Sequence, residues 1–398
     1  MNHRAGESAV VPAPFGPHGL ACVRSLSRRG VRTVVAAESD ADLTSASKYC
    51  DESVAVPSPH EDVLAYKDAL LSLAARSDVR AVIPNREEDV YVLAKYREEF
   101  ATHVSPLWPE FETLRTAHDR VRLAAAAEEA GVAVPETLLL DDVGAAESEL
   151  FVKPRYPILI ADYESTYAPT ECDPRNRTQY LRSGERPNRE AIVAEMNHVP
   201  IAQEFVRGGG EEYAFFALYD RGEPAATFQH RQLRGETYAG GASVYRESVD
   251  IPALDRAGRA LFDHLGWHGI GEAEFLRDPE TGEFKLMEVN PRMWASLSCA
   301  IEAGVDFPYY FWQVSNGVAG PFEDDYAEGI GTHSLFGELK YLRSVIAGDS
   351  SHVPRPSAGS AIRDVVASCL AQPNFEYFRL DDPEPFVRGL LDVSPFDK

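Results

Sequence analysis

Between residues 8 and 110, short apolar runs alternate with helical stretches, and this alternation constrains the fold more than any other feature of the chain. "SAVVPAPFG" reads as a strand, "GPHGLACVRSLSRRG" as a helix with a glycine stop, and "VRTVVAAES" as a second strand; "SVAVPSP", "EDVLAYKDALLSLAARS" and "VRAVIPN" continue the pattern. Strands separated by helices of this length imply βαβ units on a parallel sheet. Gly16 and Gly19, at the first strand–helix turn, leave room for an anion at a helix N-terminus. GPHG is not the GxGxxG of a dinucleotide site, which weighs against a nicotinamide cofactor.

At 398 residues the chain is too long for one simple core, and two or three domains are expected. Residues 113–135 read as one alanine-rich helix closed by Gly131, and "ELFVKPRYP" as a short strand carrying Lys153 ahead of Pro154. Residues 155–199 are polar and irregular, with a short helix near 188–197. "PIAQEFVRGGGEEYAFFALYD" reads as two strands around Gly208–Gly210, and "ATFQHRQLRGETYAGGASVYRES" as strand, polar turn and strand. A helix over about 253–265, the hairpin "EAEFLRDPETGEFKLMEVN" and a largely helical final 80 residues complete the reading.

Charge narrows the function. The net charge is −24, with 63 acidic against 39 basic residues, so the chain repels a phosphate backbone and nucleic acid is a poor partner. Lysine occurs at seven positions only, arginine supplying the other cations; an acidic, arginine-over-lysine surface points to a halophilic source. No apolar run approaches the roughly 18 residues of a membrane span. The N-terminus lacks the apolar core of a secretory signal, so a cytoplasmic location is expected. Cys22, Cys50, Cys172, Cys299 and Cys369 are scattered without a CxxC and suggest neither disulfides nor a zinc site.

Three segments carry the chemistry. In the last hairpin, centring the tip on Thr281 sets Glu274 opposite Glu288 on one face, with Asn290 beyond. Two carboxylates and an amide oxygen are the hard ligands that magnesium takes; the bland alternative is a solvated acidic face. Lys153 follows an apolar strand and precedes a proline, a placement that suits a point charge directed at a phosphate. "AQEFVRGGGEEY" leaves a strand with backbone groups able to pair with an adenine edge, and its glycines allow Glu211 or Glu212 to turn back toward a ligand.

In order and spacing, "VKP", "QEFVRGGGEEY" and "EAEF…MEVNPR" resemble the ATP-grasp superfamily over about residues 8–320. "VIPNREEDVYVLA" and "HDRVRLAAAAEEAGVAVPET" are similar to the pre-ATP-grasp domain and linker helix of its carboxylate–amine ligases. The resemblance implies an α/β and α+β chain: a Rossmann-like parallel-sheet domain over 1–112 and an ATP-grasp domain of two α+β subdomains over 113–320 with its lid at about 150–206; the residues beyond, 321–398, read as a mostly helical extension without a family motif. It implies that Lys153 binds ATP phosphates, that Gln203 faces the adenine amino group, and that the backbone of Glu204 and Val206 holds the adenine edge. Glu212, or Glu211, would take the ribose hydroxyls. Glu274, Glu288 and Asn290 would hold magnesium, for which manganese can substitute, and Arg292 would lie beside phosphate and substrate.

Two features depart from the family. Its second ATP lysine is replaced by Arg120, after Asp119, and residues 155–199 lack the glycine-rich phosphate flap. The implied reaction is acyl-phosphate ligation of a carboxylate to an amine, with ADP and phosphate released. Arg231 and Arg234 are candidates to hold the acyl phosphate or the acid, whereas His230 and His268 are expected to be packing residues. Glu87, Glu88 and the 234–245 loop are expected near the specificity cleft. The resemblance also implies a homodimer acting on small molecules. The alternative is an ATP-binding sensor or scaffold without turnover.

Overall fold

A computed structural model describes residues 6–13, 16–39, 41–175, 177–206, 212–322, 325–348 and 353–391. The expectations for Gly208–Gly210 and Glu211 fall outside the described residues. The predicted alternation produces a four-stranded parallel sheet in the order Glu52–Ala55, Arg32–Ala37, Ser8–Pro12, Val79–Val82. Its central strands, Ser8–Pro12 and Arg32–Ala37, are buried on both sides, as a sheet covered on both faces requires, while the edge strand Glu52–Ala55 is half exposed. Ala9 and Val11 enter a core shared with the rest of the molecule. Val10 and Val34 pack instead with Tyr66, Leu70 and Val90 of the helices Val63–Ala74 and Glu87–Lys95. The room expected at the first turn is filled by the chain itself: a Cβ on Gly16 would lie 2.4 Å from the buried His18 ring.

The expected single helix over 113–135 is two, Phe111–His118 and Arg120–Glu129. Asp119 breaks it. Its backbone is extended, its carboxylate caps the second helix by accepting from the Val121 N–H (3.1 Å), and Arg155 holds it at 2.6 Å. The break places Arg120 at a helix N-terminus facing the rest of the molecule. Gly131, at φ +74°, then takes the left-handed position that ends the second helix.

Two antiparallel sheets follow. The smaller has the order Thr137–Leu139, Ile201–Glu204, Leu150–Lys153, Gln179–Leu181. One face buries Leu150, Val152 and Ala202 against Ile192 and Met196 of the helix Arg189–Met196. Strand alternation sends Phe151, Lys153 and Gln203 to the other face. The larger sheet has six strands: Phe284–Asn290, Gly269–Arg277, Glu212–Asp220, Glu223–Thr237, Gly240–Ser248 and Gly331–His333. Phe215, Ala273 and Val289 face the helix Pro252–His264, while Ala214, Phe216 and Leu218 face the N-terminal domain. Gly269, at φ +95°, seats this sheet on that domain, because a Cβ there would lie 2.6 Å from the Leu107 carbonyl.

The C-terminal segment is more than appended helices. Its first element, Gly331–His333, is the outer strand of the large sheet, and the helices Leu335–Ala347, Ala358–Ala371 and Glu384–Leu391 follow. Buried Arg24 of the first helix ties down the chain near its end, reaching Asp382 at 2.8 Å and the carbonyls of Glu376 and Tyr377 at 2.7 and 3.0 Å. All five cysteines are free. No helix among the described residues is long and apolar enough to cross a membrane.

Candidate active site

The small sheet, the large sheet and the N-terminal domain enclose a cleft of about 790 Å³. Into it the last hairpin delivers its polar face. Glu274 pairs directly with Glu288, and Glu272 with Asn290. The register slips by one residue between Glu274 and Phe275, so Phe275 faces Leu286 and Met287 is the extra residue. Without that bulge the strands nearer the tip would have set Glu274 against Met287. The expected carboxylate pair is therefore made, by a bulge and not by the tip position assumed from the sequence.

Glu272, missed in the sequence, completes the acidic face. The Asn290 amide donates to Glu272 Oε2 at 3.0 Å and Glu274 Oε1 at 2.8 Å, and its Oδ1 accepts from Arg292 at 3.2 Å. Burial, then the charge of Glu288, holds the Glu274 carboxyl well above the usual carboxylate range. Burial raises Glu272 to about 7 and, across the cleft wall, Glu212 to about 7. Glu288 goes the other way. Burial opposes its ionisation, but Arg120, bonded to it at 2.5 Å, together with Lys153 and Arg292 holds it below its ordinary value. Four carboxylates this close cannot all ionise without a counter-charge. As an all-oxygen set, Glu274 and Glu288, with Asn290 turned to offer its oxygen, fit a hard divalent cation such as magnesium.

The cations approach from three elements. Lys153 lies in the cleft, donates to Gln203 Oε1 at 3.1 Å, and burial lowers its pKa. Arg120 also donates to the Pro154 carbonyl at 2.7 Å, bridging the helix N-terminus, the small sheet and Glu288. Arg292 bonds Glu87 at 2.8 Å, and Glu87 also meets His118 at 3.0 Å. Against the opposing effect of burial, Arg292 and His118 hold Glu87 below its ordinary value. Glu87 thus faces the cleft, whereas its neighbour Glu88 turns away to His60 at 2.7 Å.

The adenine-side residues are grouped less simply. Glu204 and Val206 line the cleft, but the Glu204 N–H already donates to the Glu136 carbonyl at 2.8 Å, and its carboxylate takes Lys285 at 3.2 Å. Gln203 spends its amide on Thr137 at 3.1 Å and its oxygen on Lys153, so it positions the lysine and does not project as an adenine reader.

Arg231 and Arg234 are corrections. On the strand Glu223–Thr237, His230 and Gln232 point into the cleft, so Arg231 points out, where it pairs with Glu247 at 2.5 Å. Past a register slip, Arg234 is half-buried against the C-terminal helices, bonded to Glu338 at 2.6 Å. His230 packs on Phe216 as expected yet also forms cleft wall, bonded to Ser296 at 2.7 Å; burial lowers its pKa to about 3, leaving it neutral. His268 is a packing residue, held by the Pro106 carbonyl at 2.9 Å. The sequence reading also missed Arg246, 1% exposed in the cleft wall and ion-paired with Glu376, and Arg175 at the lid side. Residues Gly241 to Ser243 of the 234–245 segment line the cleft.

Residues 21–107 match the family described as PylC-like, N-terminal domain. No curated protein sequence matches the chain. Among solved structures, L-amino acid ligase from Bacillus licheniformis superposes with a TM-score of 0.61 at 16% identity, covering 83% of this chain and 79% of its own. Biotin carboxylase from Campylobacter jejuni gives 0.59 at 14% identity, covering 81% and 74%. N5-carboxyaminoimidazole synthetase from Staphylococcus aureus gives 0.58 at 12% identity, covering 83% of each chain. At 16% identity or less the likeness is one of fold, and the chain has the ATP-grasp fold.

Proposed function

We propose that the protein is an ATP-dependent ligase joining a carboxylate to an amine through an acyl phosphate. The observation that carries this is the convergence of Lys153, Arg120 and Arg292 with Glu212, Glu272, Glu274 and Glu288 in one cleft. Such a site suits phosphoryl transfer, where catalysis is positioning and charge compensation more than covalent chemistry. Lys153 and Arg120 meet the polyphosphate; the Glu204 carbonyl and Val206 meet the adenine edge; Glu212 accepts from the ribose hydroxyls. Glu274, Glu288 and Asn290 hold magnesium, which when bound neutralises charge on the transferring group. A substrate carboxylate oxygen attacks the γ-phosphorus beside Arg292, and the bond to ADP breaks. The amine then attacks the acyl carbon, loses a proton, and phosphate leaves.

Small-molecule substrates, a cytoplasmic setting and a homodimer belong to the same reading; the 2-oxoglutarate carboxylase domain with a similar fold is described as a dimer in complex with MgADP. ADP and phosphate release from MgATP, measured in high salt against a panel of amino acids and small carboxylic acids, tests the activity. Stimulation by one acid–amine pair, lost in Lys153→Ala, supports the ligase. MgATP binding without turnover across the panel supports the sensor alternative, which the missing glycine-rich flap favours.

A further inference from the structure

In place of a flap, residues 156–175 run down onto the N-terminal domain as a strap. Ile158, Ile160 and Cys172 are buried in the same core as Val63, Tyr66 and Val90. The Val63 N–H donates to the Thr170 carbonyl at 3.0 Å, the Tyr91 hydroxyl to Asp162 at 2.7 Å, and His118 meets the Tyr163 hydroxyl at 2.9 Å. A two-stranded ribbon, Ile158–Leu159 with Asp173–Pro174, turns the strap back, and the Arg175 N–H closes it on the Pro157 carbonyl at 2.9 Å.

The return puts Pro157, Pro174, Arg175 and Thr178 on the wall of the cleft that also holds Lys153 and Arg120. Arg175 is incompletely used there. Its Nη2 bonds Asp173, the Tyr167 hydroxyl (3.3 Å) and, with the Asn197 amide turned, the Asn197 side-chain oxygen (2.5 Å), but Asp173 is 39% exposed, and an ion pair to so exposed an acid is weak. Its Nε is buried and has no partner among the described residues. A buried guanidinium N–H without an acceptor, on a cleft wall shared with Lys153 and Arg120, calls for an anionic oxygen.

We propose that Arg175 is a phosphate-binding residue of the nucleotide site, delivered by a strap docked on the N-terminal domain in place of a glycine-rich flap. The inference rests on the nucleotide reading above and deepens it. The strap fixes Arg175 to the parallel-sheet domain, so part of the phosphate contact stands before any lid movement. Arg175 then exchanges Asp173 for the ligand.

Calorimetric titration of the full chain, wild type, Arg175→Ala and Arg175→Lys, with MgATP and separately with adenosine, tests this. A tenfold to hundredfold loss of MgATP affinity in Arg175→Ala is expected, with adenosine binding unchanged and part of the loss restored by lysine. Unchanged MgATP affinity in Arg175→Ala, with wild type binding normally, overturns the role of Arg175 and leaves the nucleotide reading intact. Equal loss of MgATP and adenosine assigns Arg175 a merely structural part and overturns it too. Failure of wild type to bind MgATP overturns the nucleotide reading itself, and this inference with it. Should the alanine variant not fold, Arg175→Gln against Arg175→Lys carries the comparison: equal affinities refute the proposal.

Discussion

Replacing Glu212 with glutamine should stabilise the ligand-free protein at high pH. Burial raises the Glu212 carboxyl from its ordinary 4.5 to about 7, with Glu288 adding to the rise and Lys153 and Gln232 opposing it. The folded state therefore holds this proton more tightly than the unfolded chain between those two values. Its contribution to stability is most favourable below pH 4.5 and is lost as pH climbs through 7. At pH 8 both states are ionised, and keeping the carboxylate charged in the fold costs about 3 kcal/mol as an upper bound. Glutamine removes that cost and retains a polar contact for Gln232. Urea unfolding of wild type and Glu212→Gln, in EDTA without nucleotide, should give coincident midpoints at pH 4.5 and a variant more stable by roughly 1–3 kcal/mol at pH 8. A difference that does not change with pH, or a variant less stable at pH 8, would refute the reasoning, because it would mean that Glu212 is not a buried charge held against its preference.

Other consequences are independent of that one. Glu288→Ala should abolish magnesium-dependent ATP turnover with little change in circular dichroism; normal turnover would remove Glu288 from the metal set. Lys153→Ala should weaken MgATP binding by at least tenfold, a charge-assisted contact being worth about 1.5–3 kcal/mol, and unchanged binding would place the phosphates elsewhere. Because burial holds the Glu272 and Glu274 carboxyls above the usual carboxylate range, magnesium should displace protons on binding and bind more tightly at pH 8 than at pH 6. Titrations in two buffers of different ionisation heat read that release, and equal heats would count against it. Arg24→Ala leaves Asp382 buried without its cation and should cost about 3–5 kcal/mol; a thermal midpoint within a degree of wild type would contradict the anchoring of the C-terminal segment.

The parallel sheet was legible because its central strands are apolar runs alternating with helices, although no helix separates Arg32–Ala37 from Glu52–Ala55, and a period of that kind survives without tertiary information. The acidic hairpin face was legible because opposed residues share a face whatever lies beyond them. The same pairing arithmetic that sets Glu274 against Glu288 sets Glu272 against Asn290, so the fourth carboxylate was within reach of the sequence. Arg246 also carried a signal, sitting between Val244 and Ser248 on the buried parity of its strand. Arg231 went astray because alternation gives two faces without saying which looks into the cleft, and Arg234 because a register slip separates it from the strand's regular part. Arg175 had no periodic signal at all: its position depends on a strap folding onto a domain whose chain ended some 50 residues earlier. Asp119 was read through as helix because the helical pattern runs on from Leu114 to the alanines of 124–127 and masks a capping residue.

The outer strand Gly331–His333 has a consequence for anyone trimming this chain. It hydrogen-bonds along Gly240–Ser248, whose other neighbour is already inside the sheet. A fragment stopped near residue 320, where the recognisable motifs end, would bare that strand's free N–H and C=O groups to other molecules of itself. The three residues act as a selvedge, woven from the far end of the cloth to keep the fabric from joining its neighbour.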